Sequence, residues 1–447
     1  MLKKITALCL SALLMVSVIP ALAEETGETF VTQYFTDLMS GEKNTELYAL
    51  FTDEVKAQLP QVSFEGIWPQ LTALCGAFVG FGEMTTQDIQ GYKVYLQRLD
   101  MENQDLDMSL AVDASGKVGG LNFAPAKTVE AAPAELPQGI VEEDVFIGEG
   151  ERELPGTLTL PAEGDNFPGV VLVHGSGPND RDESVGQTKL FRDLAWTLAQ
   201  NGIASVRYDK RTNVYGEKIA AQVQSDFTVE EETIQDAILA GKIMKSDARI
   251  NAEKTFLIGH SMGAMLGPRI ATESEGLFTG LVLVSGTPLP LTDIILAQNE
   301  DGLAKLPEDQ RAAQQPLVDA EQQKLKTLST ATAEEARALT VFGIPGYYLY
   351  EMGQYDAAKL ALDLQLPTFI LQGGKDFQVT EANGYDAWQK ALGEQDFITY
   401  KLYPELNHVM MAYTGDPALQ GTVAEYNTPA NVDQTVAQDI IAWILSH

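Results

Sequence analysis

The sequence predicts an α/β architecture, a mostly parallel doubly wound sheet with a helical cap, preceded by a small α+β domain. Three observations carry this. From residue 140 onward, short and nearly unbroken apolar runs alternate with segments of helical periodicity. Before residue 126 the order differs, with helical segments first and strand-like runs after them. Between the two lies an Ala- and Pro-rich stretch with no period at all. A length of 447 residues is also more than one typical domain needs.

The first 23 residues form a secretory leader. Lys3 and Lys4 make a basic start, Ile5 to Ile19 is apolar, and Pro20 breaks the run. Ala21-Leu22-Ala23 then offers an A-x-A cleavage site, so cleavage after Ala23 is expected, leaving Glu24 first and the protein outside the cytoplasm. The apolar run is short of the ~20 residues a membrane span needs, and no later stretch could span a bilayer. Cys9 lies too early to be a lipoprotein cysteine.

Residues 26–125 read as the small module. Thr29 to Met39, Thr45 to Leu59 and Phe64 to Phe78 carry helical spacing of apolar residues. Strands are expected at Tyr92–Leu99, Leu106–Val112 and Val118–Phe123. Asp113-Ala114-Ser115-Gly116 is the hairpin turn between the last two. The linker follows at 126–139, its Ala/Pro-rich composition beginning at residue 124.

Residues 140–447 read as the larger domain. A leading hairpin (Glu143–Ile147, Thr157–Leu160) precedes strands at Gly169–Val173, Ala204–Tyr208, Thr255–Ile258, Leu281–Val284, Thr368–Leu371 and Ile398–Leu402. Most are apolar throughout, as strands covered on both faces must be. Helices are expected at Leu190–Gln200, Val229–Lys245, Met262–Thr272, Asn383–Leu392 and Val432–Leu445. One connection is abnormally long, from about residue 287 to about 365. A segment of that size at the carboxyl end of a strand reads as a cap over the ligand-binding edge of the sheet.

Charge and cysteine content exclude several classes. The net charge is −33, and losing the leader removes two lysines and no acid. Nucleic acid and anionic membranes are therefore not expected partners. Without Cys9 only Cys75 remains, so no intramolecular disulfide can form and the apolar core must hold the fold. No cysteine, histidine or carboxylate group has metal-ligand spacing, and no phosphate-binding Gly-rich signature occurs, so neither metal nor cofactor is expected.

The chemistry concentrates in Gly259-His260-Ser261-Met262-Gly263, a G-x-S-x-G elbow between a strand and a helix. Such a turn lifts the serine oxygen above the sheet, and side chains at Gly259 and Gly263 would clash. Serine needs a base. The chain has four histidines. His174 belongs to another motif, His260 sits beside the nucleophile, and His447 is terminal, which leaves His408. The third member should lie between serine and histidine in chain order. Asp376, in Gly373-Gly374-Lys375-Asp376 directly after a strand, fits; Glu381 and Asp386 lie further into the following helix. Ser261, His408 and Asp376 are thus the expected nucleophile, base and acid. His174-Gly175-Ser176-Gly177 follows another strand, so the backbone N–H groups of Ser176 and Met262 are the expected oxyanion donors, with Gly175 and Gly177 as permissive neighbours. The charges in Asp180-Arg181-Asp182 and Arg207-Tyr208-Asp209-Lys210-Arg211 read as a structural ion-pair network.

With these residues in view, residues 140–447 resemble an α/β-hydrolase. They are similar to secreted bacterial carboxylesterases that carry a small extra N-terminal module. The stretches that carry the resemblance are VLVHGSGPNDRD (171–182), FRDLAWTLAQNGIASVRYDKRT (191–212), FLIGHSMGAMLGPRIA (256–271), LQGGKDFQV (371–379) and Asn407-His408. The resemblance implies esterase activity on small acyl esters. Residues 26–125 resemble an uncharacterised module found before such hydrolases, with no partner implied.

The expected activity is hydrolysis of a small or short-acyl carboxylic ester through an acyl-enzyme, with a small-molecule ester as substrate. Two rivals stay open. The same triad serves peptide or amide hydrolysis. A surface-binding protein with an inert hydrolase fold is the other.

Overall fold

The computed structural model describes residues 27–447 apart from 60, 90, 103–104, 127–134, 222–225 and 307. The leader and most of the linker lie outside the described residues. The described chain divides into two compact units. One runs up to residue 126 and includes 299–326 and 340–344; the other comprises 135–298, 327–339 and 345–447.

In the first unit, helices at Gly27–Ser40, Asn44–Ala49, Asp53–Gln58, Gln61–Glu65 and Ile67–Cys75 precede an antiparallel sheet in chain order: β1 (Phe78–Ile89), β2 (Tyr92–Met101), β3 (Leu106–Asp113) and β4 (Val118–Pro125). Val31, Phe35, Phe64 and Leu71 from the helices pack with Leu99, Met108, Leu110 and Phe123 from the sheet. The β3–β4 turn is closed by Asp113, whose Oδ1 accepts from the Ser115 and Lys117 amides at 2.8 Å each.

Three readings of the sequence are corrected here. The helix expected over Thr45–Leu59 is two helices, because Phe51 pairs with Val118 and Thr52 caps the second, accepting from the Val55 amide. The helix expected over Phe64–Phe78 is interrupted after Glu65 and ends at Cys75, where Gly76 adopts φ 81°. Strand β1 was not foreseen. It is an edge strand, largely exposed, with two glycines and two register shifts against β2, so it lacks the alternation that marks a half-buried strand.

In the second unit eight strands form one sheet. They are β5 (Ile140–Ile147), β6 (Leu154–Pro161), β7 (Phe167–Val173), β8 (Ala204–Tyr208), β9 (Ile250–His260), β10 (Gly280–Val284), β11 (Thr368–Gly373) and β12 (Ile398–Tyr403). The spatial order is β12-β11-β10-β9-β7-β8-β6-β5. Strands β12 to β8 run parallel, while β6 is antiparallel to both β8 and β5. The order reverses at β7, whose neighbours are β8 on one side and β9 on the other, and such a switch point opens a crevice at the carboxyl ends.

Period-two alternation decides what each strand gives to each face. Val170, Leu172, Phe256, Ile258, Val282, Val284, Phe369 and Leu371 bury with helices Leu190–Gln200 and Gln434–Ser446. Trp443 of the latter stacks on Phe369 at 5.8 Å and meets Phe256 edge-on. The other face is covered by helix Gln235–Ser246, against β7 and β9, and by helix Met262–Glu273, against β9 and β10. Between β10 and β11 the long insertion holds helices at Leu291–Ala304, Glu308–Leu328, Ala333–Arg337, Gly346–Met352 and Ala357–Leu364. The last packs on helix Met262–Glu273.

Candidate active site

Parallel pairing places the chemistry. Gly259 of β9 stands opposite Val173 of β7 and His260 opposite Val284 of β10, so the elbow and the 174–177 turn leave the sheet side by side. Ser261 adopts φ 55°, ψ −114°, a conformation a non-glycine residue holds only when its surroundings impose it. Its amide donates to the Val284 carbonyl at 2.9 Å, and its carbonyl accepts from the Ala264 and Met265 amides. No room exists for side chains at the flanking glycines. A Cβ at Gly259 would lie 2.3 Å from the Gly263 oxygen, and one at Gly263 2.2 Å from the Val173 oxygen.

Asp376 and His408 meet directly. His408 Nδ1 lies 2.7 Å from Asp376 Oδ2, and both side chains are buried. A carboxylate oxygen only accepts, so in the neutral imidazole Nδ1 carries the proton and Nε2 the lone pair. Three further donors converge on Asp376: the Gln378 amide at 2.8 Å, the Val379 amide at 2.9 Å and Gln372 Nε2 at 2.8 Å. The two loops are tied to each other, because the Gly374 amide donates to Tyr403 and the Lys375 amide to Leu406. Asn407 shapes the histidine loop, accepting from the Val409 and Met411 amides while its Nδ2 donates to Glu425 at 2.7 Å.

His408 reaches the elbow through its own carbonyl, which His260 Nε2 meets at 2.9 Å; the two rings lie 4.8 Å apart. The other ring nitrogen of His260 is 3.1 Å from Glu183 Oε1. Burial opposes the charge on both groups. Their mutual attraction outweighs it, holding the Glu183 carboxyl below the usual carboxylate range and raising His260 above its ordinary value.

The 174–177 turn stands against the serine. A Cβ at Gly175 would lie 3.1 Å from Ser261 Cβ, and Gly177 adopts φ 98°. The Gly175 amide donates to Glu183 Oε1 at 2.6 Å. Ser176 is exposed, and Met262 opens the helix, where a backbone N–H has no intrahelical acceptor. His174 is buried between Phe191 and Tyr208, and burial pushes it down to about 4.

The flanking charges do form ion pairs: Arg181 with Asp209 at 2.9 Å, Arg207 with Asp182 at 3.0 Å and Glu142 at 2.9 Å, Arg211 with Asp236 at 2.5 Å. Lys210, 2% exposed, pairs with Glu232 at 2.6 Å and also donates to the Gly175 carbonyl at 2.7 Å. Sequence reasoning missed Glu183, Gln372 and Lys210 as site-building residues. The only local signal was position: Lys210 lies two residues beyond β8, and Glu183 directly follows the Asp180-Arg181-Asp182 charge cluster. Among the described residues, no His/Cys/Asp/Glu grouping could hold a metal ion, and no helix is long and apolar enough to cross a membrane.

Residues 169–413 match the family described as Serine aminopeptidase, S33, and residues 32–121 match a family described as Protein of unknown function (DUF3887). Esterase EstD from Thermotoga maritima is 33% identical over 416 residues, covering 92% of this chain and 94% of the relative. Among solved structures, Est1E from Butyrivibrio proteoclasticus aligns at 13% identity and TM-score 0.41, over 68% of this chain and 98% of its own. An esterase from Pyrococcus furiosus aligns at 16% and 0.42, over 72% and 97%. With the hydrolase family matched over more than half the chain and a relative of this identity along nearly all of it, the chain belongs to the serine aminopeptidase S33 family of α/β-hydrolases.

Proposed function

We propose that this chain is a serine esterase that cleaves carboxylic esters of small or short-acyl type, with Ser261 as nucleophile, His408 as base and Asp376 as the acid that orients it. The observation that carries this reading is the 2.7 Å contact between His408 Nδ1 and Asp376, which leaves Nε2 able to take a proton. In the reaction, His408 Nε2 removes the Ser261 hydroxyl proton as the oxygen attacks the ester carbonyl. The backbone N–H groups of Ser176 and Met262 hold the oxyanion. His408 then protonates the departing alcohol, and water, deprotonated by the same nitrogen, releases the acid and restores the serine. The esterase relative, aligned along nearly the whole chain, is consistent with this substrate class.

The leader at 1–23 supports export from the cytoplasm, and the module at 26–125 is a separate domain whose partner the reading leaves open. A second reading, amide or peptide hydrolysis, has the description of the matched family in its favour. The test is turnover of p-nitrophenyl esters of rising chain length beside amino-acid p-nitroanilides, for the parent and Ser261→Ala. Ester turnover that falls by about 10^4-fold or more in Ser261→Ala is the expected result. Turnover of anilides alone moves the chain to the second reading. A folded protein inert on both classes overturns the enzyme reading in favour of a binding role.

A further inference from the structure

Gly175 is gripped at both its polar groups by buried charges of opposite sign. Its N–H donates to Glu183 Oε1 at 2.6 Å, and its carbonyl accepts from Lys210 Nζ at 2.7 Å and Asn179 Nδ2 at 3.1 Å. Glu183 and Lys210 are each 2% exposed. The carbonyl of Gly175 and the N–H of Ser176 belong to one planar trans peptide and point in opposite directions. Whatever holds that carbonyl therefore sets where the Ser176 N–H points. A cation on the carbonyl also draws electron density through the amide and makes the N–H a stronger donor.

The ammonium does not stand alone. Glu232 Oε1 lies 2.6 Å from Lys210 Nζ, and Glu232 Oε2 accepts from the Tyr348 hydroxyl at 2.8 Å. That hydroxyl is 3.6 Å from Met262 Sδ. One chain of contacts thus runs from the Gly175–Ser176 peptide through Lys210, Glu232 and Tyr348 to Met262, the other residue proposed above to donate its N–H to the oxyanion. A buried ion pair is a poor device for stability, since desolvation offsets most of the attraction. Its placement on the one carbonyl that steers the Ser176 amide gives it a different use.

We propose that Lys210 is a positioning residue of the oxyanion site: held by Glu232, its ammonium orients and polarises the Gly175–Ser176 peptide so that the Ser176 N–H binds the developing oxyanion, and Tyr348 links this pair to Met262. The inference rests on the esterase reading above. It predicts an effect on the transition state and not on substrate binding.

The experiment uses the full chain without its leader, in the variants Lys210→Met, Lys210→Met/Glu232→Gln, Tyr348→Phe and Ser261→Ala. The double variant strands no charge, and Tyr348→Phe removes a single hydroxyl. Functional sites are counted from the end point of a p-nitrophenyl phosphonate burst, so misfolded protein does not enter the rate. For both Lys210 variants, kcat per titrated site and affinity for a trifluoromethyl ketone, whose hemiketal oxyanion occupies the hole, should fall about 10- to 100-fold, with KM within about threefold of the parent. Tyr348→Phe should lower kcat per site about threefold with KM unchanged. Should the Lys210 variants not fold, Tyr348→Phe decides alone. Parent-like kcat per site, with any loss confined to the number of titratable sites, overturns the inference and leaves Lys210 a purely structural residue. Inactive Ser261→Ala beside parent-like Lys210 variants overturns this inference only; parent-level turnover by Ser261→Ala overturns the nucleophile assignment and this inference together.

Discussion

The Asp376 carboxylate faces four donors at once, and one of them, His408 Nδ1 at 2.7 Å, is the bond that sets the tautomer of the histidine. Asp376→Asn would present an amide NH2 to that nitrogen. The imidazole would then carry its proton on Nε2, where it could not act as a base. A kcat loss of about 10^3- to 10^4-fold is expected with the fold retained. Steady-state kinetics beside circular dichroism check this, and a variant within tenfold of the parent would remove Asp376 from its role.

The elbow is predicted to reject even one methyl group. Gly263→Ala would drive a Cβ to 2.2 Å from the Val173 carbonyl oxygen and 2.8 Å from that of His174, both backbone atoms that cannot swing away. A loss of about 1–3 kcal/mol is expected, read from the shift of the urea midpoint at unchanged m-value. An unshifted midpoint would show that the strand-to-helix turn is looser than its geometry implies.

Acid should weaken the fold through His174. Burial lowers its folded-state value to about 4, against an ordinary 6.5. Between those two values the unfolded chain binds more protons than the folded one, so this group's stabilising contribution is present above about pH 6.5 and is lost as pH falls toward about 4. The difference amounts to about 3 kcal/mol. His174→Gln keeps a donor toward the Asp180 carbonyl but cannot titrate. Unfolding free energies of parent and variant, measured from pH 7 to 4, should show a shallower slope in the variant. Parallel slopes would mean that other buried groups, among them Glu183, carry the acid response.

Cys75 should be silent in the folded protein. It is buried among the helices and sheet of the first unit, and burial pushes its thiol up to about 12. In a chain lacking residues 1–23, and so Cys9, a thiol-reactive dye should label the native protein at least about 10^3-fold more slowly than the urea-unfolded chain, since the thiolate is the reactive form and access requires opening. Rapid native labelling would show that this helical layer opens readily.

How much was legible in the sequence varies from element to element. Leu190–Gln200 was readable to the residue because an amphipathic helix announces itself locally, and Ala204–Tyr208, although it carries Ser205 and Arg207, was readable from its place in the alternation of strands and helices. The edge strand β1 was not, because exposure and bulging erase its alternation. Ser261, Asp376 and His408 are the candidates the sequence offers because the elbow is a local motif, because histidines are scarce and because Asp376 follows a strand directly; of these, the structure brings Asp376 and His408 into contact. Glu183, Gln372 and Lys210 could not. Carboxylates, glutamines and lysines recur along the chain, and nothing local separates a buried one from a solvated one.

The sequence by itself determined most strands and helices of the second unit, where the tight turns fall and which three side chains to propose as nucleophile, base and acid. All of these rest on periodicity, glycine and the order of residues along the chain. Only the tertiary structure decided that His260 would bond the backbone of a residue 148 positions away, or that Lys210 would close on a carbonyl 35 positions before it. Such contacts depend on which strands become neighbours and on how deeply each charge is buried. Those are properties of the packed sheet, and no single stretch of sequence contains them.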